Sequence, residues 1–89
     1  MNITDVRVRL IQKEDSKLKA VASITIDNAL AVHDIKIVEG NEGCFVAMPS
    51  RKVGETEHKD IAHPITAEAR AELVSVVLSA YEKALTENQ

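Results

Sequence analysis

Apolar and polar residues alternate from Ile3 to Ile11, with Val6, Val8 and Leu10 on one side and Arg7 and Arg9 on the other. Period two marks a half-buried strand, because successive side chains leave opposite faces of the pleat. The two arginines therefore share one exposed face. Alternation returns from Leu18 to Asp27, where Leu18, Ala20, Ala22, Ile24 and Ile26 oppose Lys19, Val21, Ser23 and Thr25. The alanines are small enough to let a second layer approach closely. Gln12 to Lys17, polar and charged, reads as the hairpin loop between these strands. Asp27-Asn28 is a turn pair. A third extended run follows from Leu30 to Val38, in which strict alternation puts Ala31, His33, Ile35 and Ile37 on one face and Leu30, Val32, Asp34, Lys36 and Val38 on the other.

Glu39-Gly40-Asn41-Glu42-Gly43 reads as a loop and Cys44 to Met48 as a fourth strand, in which Phe45-Val46-Ala47-Met48 suits a buried position. Pro49 has no amide to donate and should end the ladder or sit at its edge. Ser50 to His58, with Arg51 and Lys52 followed by a glycine and several acids, reads as an exposed loop. Lys59 to His63 resumes the extended chain until Pro64. Thr66 is a good helix N-cap, Glu68 puts a negative charge in the first turn, and Leu73, Val76, Val77, Ala80 and Ala84 recur at helical spacing. Val74, Leu78, Tyr81 and Leu85 widen that stripe, as expected of a helix covered on more than one side. The predicted fold class is α+β: a small antiparallel sheet of four to five strands with one long C-terminal helix.

Length and charge change this picture in two ways. A chain of 89 residues is one domain, 1–89, and leaves much of its surface in water, which self-association would remedy. A formal net charge of −3 gives no whole-protein attraction for phosphate, so any nucleic-acid binding has to come from a local patch. Phe45 and Tyr81 are the only aromatic residues, which argues against a binder that stacks many bases. A single cysteine, Cys44, forms no internal disulfide and fits a reducing cytoplasm. No leader is expected from the opening Met1-Asn2-Ile3-Thr4-Asp5, and no apolar run approaches the ~20 residues of a membrane span.

Catalytic and metal-binding patterns are weak. His33, His58, His63 and Cys44 lie in four separate places without the close-spaced pairs of structural zinc sites, and no cofactor is expected. Asp5, Asp27, Asp34 and Asp60 would need a defined cleft to act as paired carboxylates, and a small sheet with one helix offers little concave volume. Gly40-Asn41-Glu42-Gly43 lacks the lysine and spacing of a phosphate loop. No catalytic residue, metal or small-molecule substrate is assigned. The remaining constellation is basic: Arg7 and Arg9 on one strand face, and Arg51 and Lys52 in the exposed loop. Composition alone reads these cations as solubilising charges.

Ile3-Thr4-Asp5-Val6-Arg7, Ala20-Val21-Ala22-Ser23-Ile24-Thr25, Val32-His33-Asp34-Ile35-Lys36, Phe45-Val46-Ala47-Met48-Pro49-Ser50-Arg51-Lys52 and Asp60-Ile61-Ala62-His63-Pro64-Ile65 together resemble the SpoVG family, in the family's order over nearly the whole chain. The resemblance implies a cytoplasmic, homodimeric protein that binds DNA and RNA and regulates gene expression, with a role in sporulation and septation. It assigns nucleic-acid contact to Arg51 and Lys52, which stand where the family has its basic pair, and less directly to Arg7 and Arg9. Where the family's helix carries more basic residues, this one has Arg70 and Lys83 among Glu68, Glu72, Glu82 and Glu87, which weakens a helix-borne DNA surface. The alternative reading is a protein-interaction module that docks a partner on its sheet edge or wide helical stripe.

Overall fold

The computed structural model describes residues 1–87 apart from Gln12 and Glu14, so the predicted hairpin loop at Gln12 to Lys17 lies partly outside the described residues. Six strands precede one helix: β1 (Ile3–Leu10), β2 (Leu18–Ile26), β3 (Leu30–Gly40), β4 (Gly43–Ala47), β5 (Ser50–Val53), β6 (Glu57–Asp60) and α1 (Ala67–Glu87). β1 to β4 form an antiparallel meander in chain order, and β5 and β6 form a separate two-stranded ribbon. The expected α+β architecture is therefore present, with its strands divided between two sheets.

One face of the meander carries the core. Ala20, Ala22, Ile24, Ile35 and Ile37 are buried against Leu73 and Val77 of the helix and Met48. Complete burial of an aliphatic side chain such as Ile24, Ile35, Ile37 or Val77 contributes about 1.5–3 kcal/mol, so the two central strands and the helix hold most of the fold together. Ala20 and Ala22 are buried in this core, while the closest backbone approach of α1 is to β1 and β4. The helix begins where Thr66 predicts: its Oγ1 accepts the Ala69 amide at 3.1 Å, satisfying one of the first-turn donors. Glu68 adds the acidic charge favoured there.

Four features depart from the sequence reading. Strict alternation fails in β3, where Ser23 of β2 faces two residues, because Ala22 pairs with Ile35 and Ile24 with Val32. Asp34 takes φ +62° in this bulge, which turns Val32 toward the core and leaves His33 exposed. Val32 and Ile35, three apart, could not share a face otherwise. The Glu39 to Gly43 loop shrinks to Asn41 and Glu42, since Gly40 and Gly43 are already paired. Phe45 lies on the edge strand and is 52% exposed rather than buried, because its neighbours Cys44 and Val46 are the ones that face the core. Finally, Ser50 to His58 is no irregular loop but most of the β5–β6 ribbon.

The Asp27-Asn28 turn is as expected. Both residues have φ +53° and the Ala29 amide donates to the Ile26 carbonyl at 3.0 Å, a left-handed hairpin turn that Asp and Asn tolerate better than other side chains.

Candidate functional site

The β5–β6 ribbon places the predicted cations. Register pairs Ser50 with Asp60, Arg51 with Lys59, Lys52 with His58 and Val53 with Glu57. Side chains alternate across a ribbon, so Arg51 and Lys59 stand on one face and Lys52 and His58 on the other. All four are exposed, and only Val53 of the ribbon's strand residues is partly covered. Gly54, at φ +76°, supplies the left-handed residue of the turn. At the base, the Ile61 amide donates to the Pro49 carbonyl at 2.7 Å and holds the two strands together where they leave the body.

Two like charges facing each other across a ladder repel, and Arg51 with Lys59 is such a pair. Neither they nor Lys52 make an ion pair among the described residues. The ribbon's acids, Glu55, Glu57 and Asp60, sit toward the turn and the base, leaving a cationic middle of two rungs. Such a middle is suited to an anion supplied from outside.

Arg7 and Arg9 lie elsewhere, on the outer face of the meander, opposite Ser23 and Val21. They line a shallow hollow with those two residues, His33 and Asp34. Arg7 is already engaged, its Nε donating to Asp5 Oδ2 at 3.1 Å. Ser23 Oγ and His33 Nδ1 are 3.0 Å apart, a hydrogen bond across the bulge. Lys36 joins this face through its pairing with Val21. Thus Arg7 and Arg9 come together as predicted, Arg51 and Lys52 point to opposite faces of one ribbon, and the two pairs belong to different sheets.

Sequence reasoning missed Lys59, His58 and Lys36. The first two could have been found by folding the chain about Gly54, which brings Lys59 opposite Arg51. Lys36 already stood opposite Ile35 and Ile37 in simple alternation, and only its pairing with Val21 brings it beside Arg9. Arg70 and Lys83 are exposed, and the last helical turn carries no basic residue. The remaining candidates stay apart: His33 is on β3, His58 on β6, Cys44 on β4, and His63 precedes the helix with its Nδ1 3.1 Å from the Pro64 carbonyl oxygen. Among the described residues, no three His, Cys, Asp or Glu side chains are grouped to hold a metal ion. No helix among them is long and apolar enough to cross a membrane.

The sequence pattern that defines the SpoVG family matches residues 1–83. A protein of Lachnospira eligens named "Putative septation protein SpoVG" is 61% identical over 84 residues, covering 94% of each chain. Proteins of the same name from Heliobacterium modesticaldum and Clostridioides difficile are each 58% identical, over 96% and 98% of this chain and 94% of their own. These matches run through the meander, the basic ribbon and most of the helix, so they describe the whole architecture rather than one element of it, and the chain belongs to the SpoVG family.

Proposed function

We propose that this chain is a nucleic-acid-binding regulatory protein that contacts DNA and RNA through the cations of the β5–β6 ribbon, acts as a homodimer and performs no catalysis. The name its relatives carry supports septation as the process it serves. The observation that carries the binding reading is the set of cations on the ribbon's two middle rungs, Arg51 and Lys59 on one face and Lys52 on the other, with no ion pair to any of the three among the described residues. A two-stranded ribbon is one of the shapes that a B-DNA major groove admits, and cations on both faces would meet phosphates on both walls. On single-stranded RNA the same side chains need only follow the backbone. Arg7 and Arg9 add a second positive area on the outer sheet face.

Fluorescence anisotropy of labelled duplex DNA and single-stranded RNA, over a series of salt concentrations, tests this. A dimer engaging ~4 phosphates should give a log-log salt slope of about −3.6 on duplex DNA, and Arg51→Ala/Lys52→Ala should abolish binding. Binding unchanged in that variant would remove the ribbon from the site. A folded protein that binds neither ligand at low salt would favour the protein-interaction module, the reading that the net charge of −3 and the acid-rich helix support.

A further inference from the structure

The outer face of the meander, away from the core, holds a row that crosses all four strands. Arg9 pairs with Val21, Val21 with Lys36 and Lys36 with Ala47. Partners in register project from the same face, so the backbones of Arg9 and Lys36 stand about 10 Å apart with Val21 between them. Both side chains are exposed, and neither makes an ion pair among the described residues. Two residues beyond Lys36, on the same face, Val38 pairs with Phe45. Phe45 is 52% exposed and its ring lies alongside Gly40, where an added Cβ would come within 3.2 Å of the ring. The missing side chain at Gly40 thus leaves the ring its place at the edge of the sheet.

Exposed cations, an apolar floor and an open aromatic ring on one sheet face match the chemistry of a single nucleic-acid strand, whose phosphates need the cations and whose bases each have a flat face for the ring. A duplex keeps its bases stacked on one another. It can offer phosphates to Arg9 and Lys36 but no base face to Phe45. An acidic peptide would satisfy the cations, yet nothing in its backbone brings a planar group to the ring. Lys36 and Phe45 are one strand and two residues apart, about 8 Å, so one short stretch of strand can engage both. Asp5 and Asp34 lie at the Arg7 end of this face. With one aromatic residue on the face, one base is stacked and the cations supply the rest.

We propose that the outer sheet face binds single-stranded nucleic acid, Arg9 and Lys36 holding backbone phosphates and Phe45 stacking on one base. The proposal rests on the nucleic-acid reading above and gives it a surface, separate from the ribbon, that selects single strands. Anisotropy of a short labelled oligouridylate and of a labelled DNA duplex tests it on the full chain, with circular dichroism to verify folding. Phe45→Ala should weaken oligouridylate binding roughly 5- to 150-fold, the loss of one base stack, and leave duplex binding within about twofold. Arg9→Ala/Lys36→Ala should lower the log-log salt slope for oligouridylate by about 1.4. Phe45→Trp, in a chain with no other tryptophan, should retain the affinity and lose emission when oligouridylate binds. If Phe45→Ala and Arg9→Ala/Lys36→Ala both bind oligouridylate as the wild type does, the outer face is not the site and nucleic-acid binding stays with the ribbon. Equal losses on both probes in Phe45→Ala would overturn the selection of single strands. Displacement of oligouridylate by oligoglutamate as readily as by its unlabelled form would mark a surface that reads charge alone and would overturn the stacking. A wild type that binds duplex but not oligouridylate overturns this proposal by itself, whereas one that binds neither overturns the nucleic-acid reading with it.

Discussion

Asp34 sits at φ +62°, a conformation that costs most L-residues about 1–2 kcal/mol and Asp or Asn less. Its position in the β2–β3 bulge lets Val32 and Ile35 both reach the core. Asp34→Gly should therefore be neutral or stabilising by up to about 1 kcal/mol, and Asp34→Val destabilising by about 1–2 kcal/mol, since a branched side chain is least tolerated there. Urea denaturation measures both, and a valine variant as stable as the wild type would contradict the strain. Tyr81 offers a second test. Burial raises its phenol above the usual value, the neighbouring Cys44 and Glu39 act in the same direction, and Lys19 opposes them. A raised folded-state pKa means that the neutral phenol is favoured by folding. That stabilisation is fully present below the unfolded value of about 10 and is lost as pH rises through the folded value. As the only tyrosine in the chain, Tyr81 can be followed by its near-ultraviolet absorbance. Its midpoint should lie higher in the folded protein than in urea, and Tyr81→Phe should remove this part of the alkaline loss of stability.

At the scale of elements, the helix was readable because its signals are local: an N-cap, an acidic first turn and a 3.6-residue apolar period all concern neighbours in sequence. Thr66→Ala should cost about 1 kcal/mol through the orphaned Ala69 amide. Leu73→Ala, at a site 3% exposed, should cost about 2–5 kcal/mol because the stiff sheet beneath cannot collapse into the cavity. Thermal and urea unfolding of the two variants should preserve that order; a larger loss at Thr66 would mean the cap has a role beyond the first turn. The ribbon was harder to read. Its strands are four residues each and polar on both faces, so no alternation announces them. Only their pairing, completed across Gly54, reveals that Lys59 belongs with Arg51.

For the whole molecule, the decisive contrast is between a packed sheet-and-helix body and a ribbon that ladders only with itself. Arg51→Ala/Lys52→Ala should change unfolding free energy by no more than about 0.5 kcal/mol, because exposed side chains outside the core contribute little to stability. Loss of nucleic-acid binding at unchanged stability would then report a lost contact; a destabilised variant would show that the ribbon supports the body. The amino-acid sequence by itself determined the strand-rich first half, the turn at Asp27-Asn28, the helix start at Thr66, the α+β class and the cations Arg7, Arg9, Arg51 and Lys52, since each depends on period, turn chemistry or charge within a short span. Tertiary structure alone decided the bulge that admits Val32 and expels His33, the exposure of Phe45, the two faces of the basic ribbon and the row that joins Arg9 to Lys36. These depend on which residues face one another across strands and layers, and pairing between distant segments is set by the packing of the whole chain rather than by any one stretch of it.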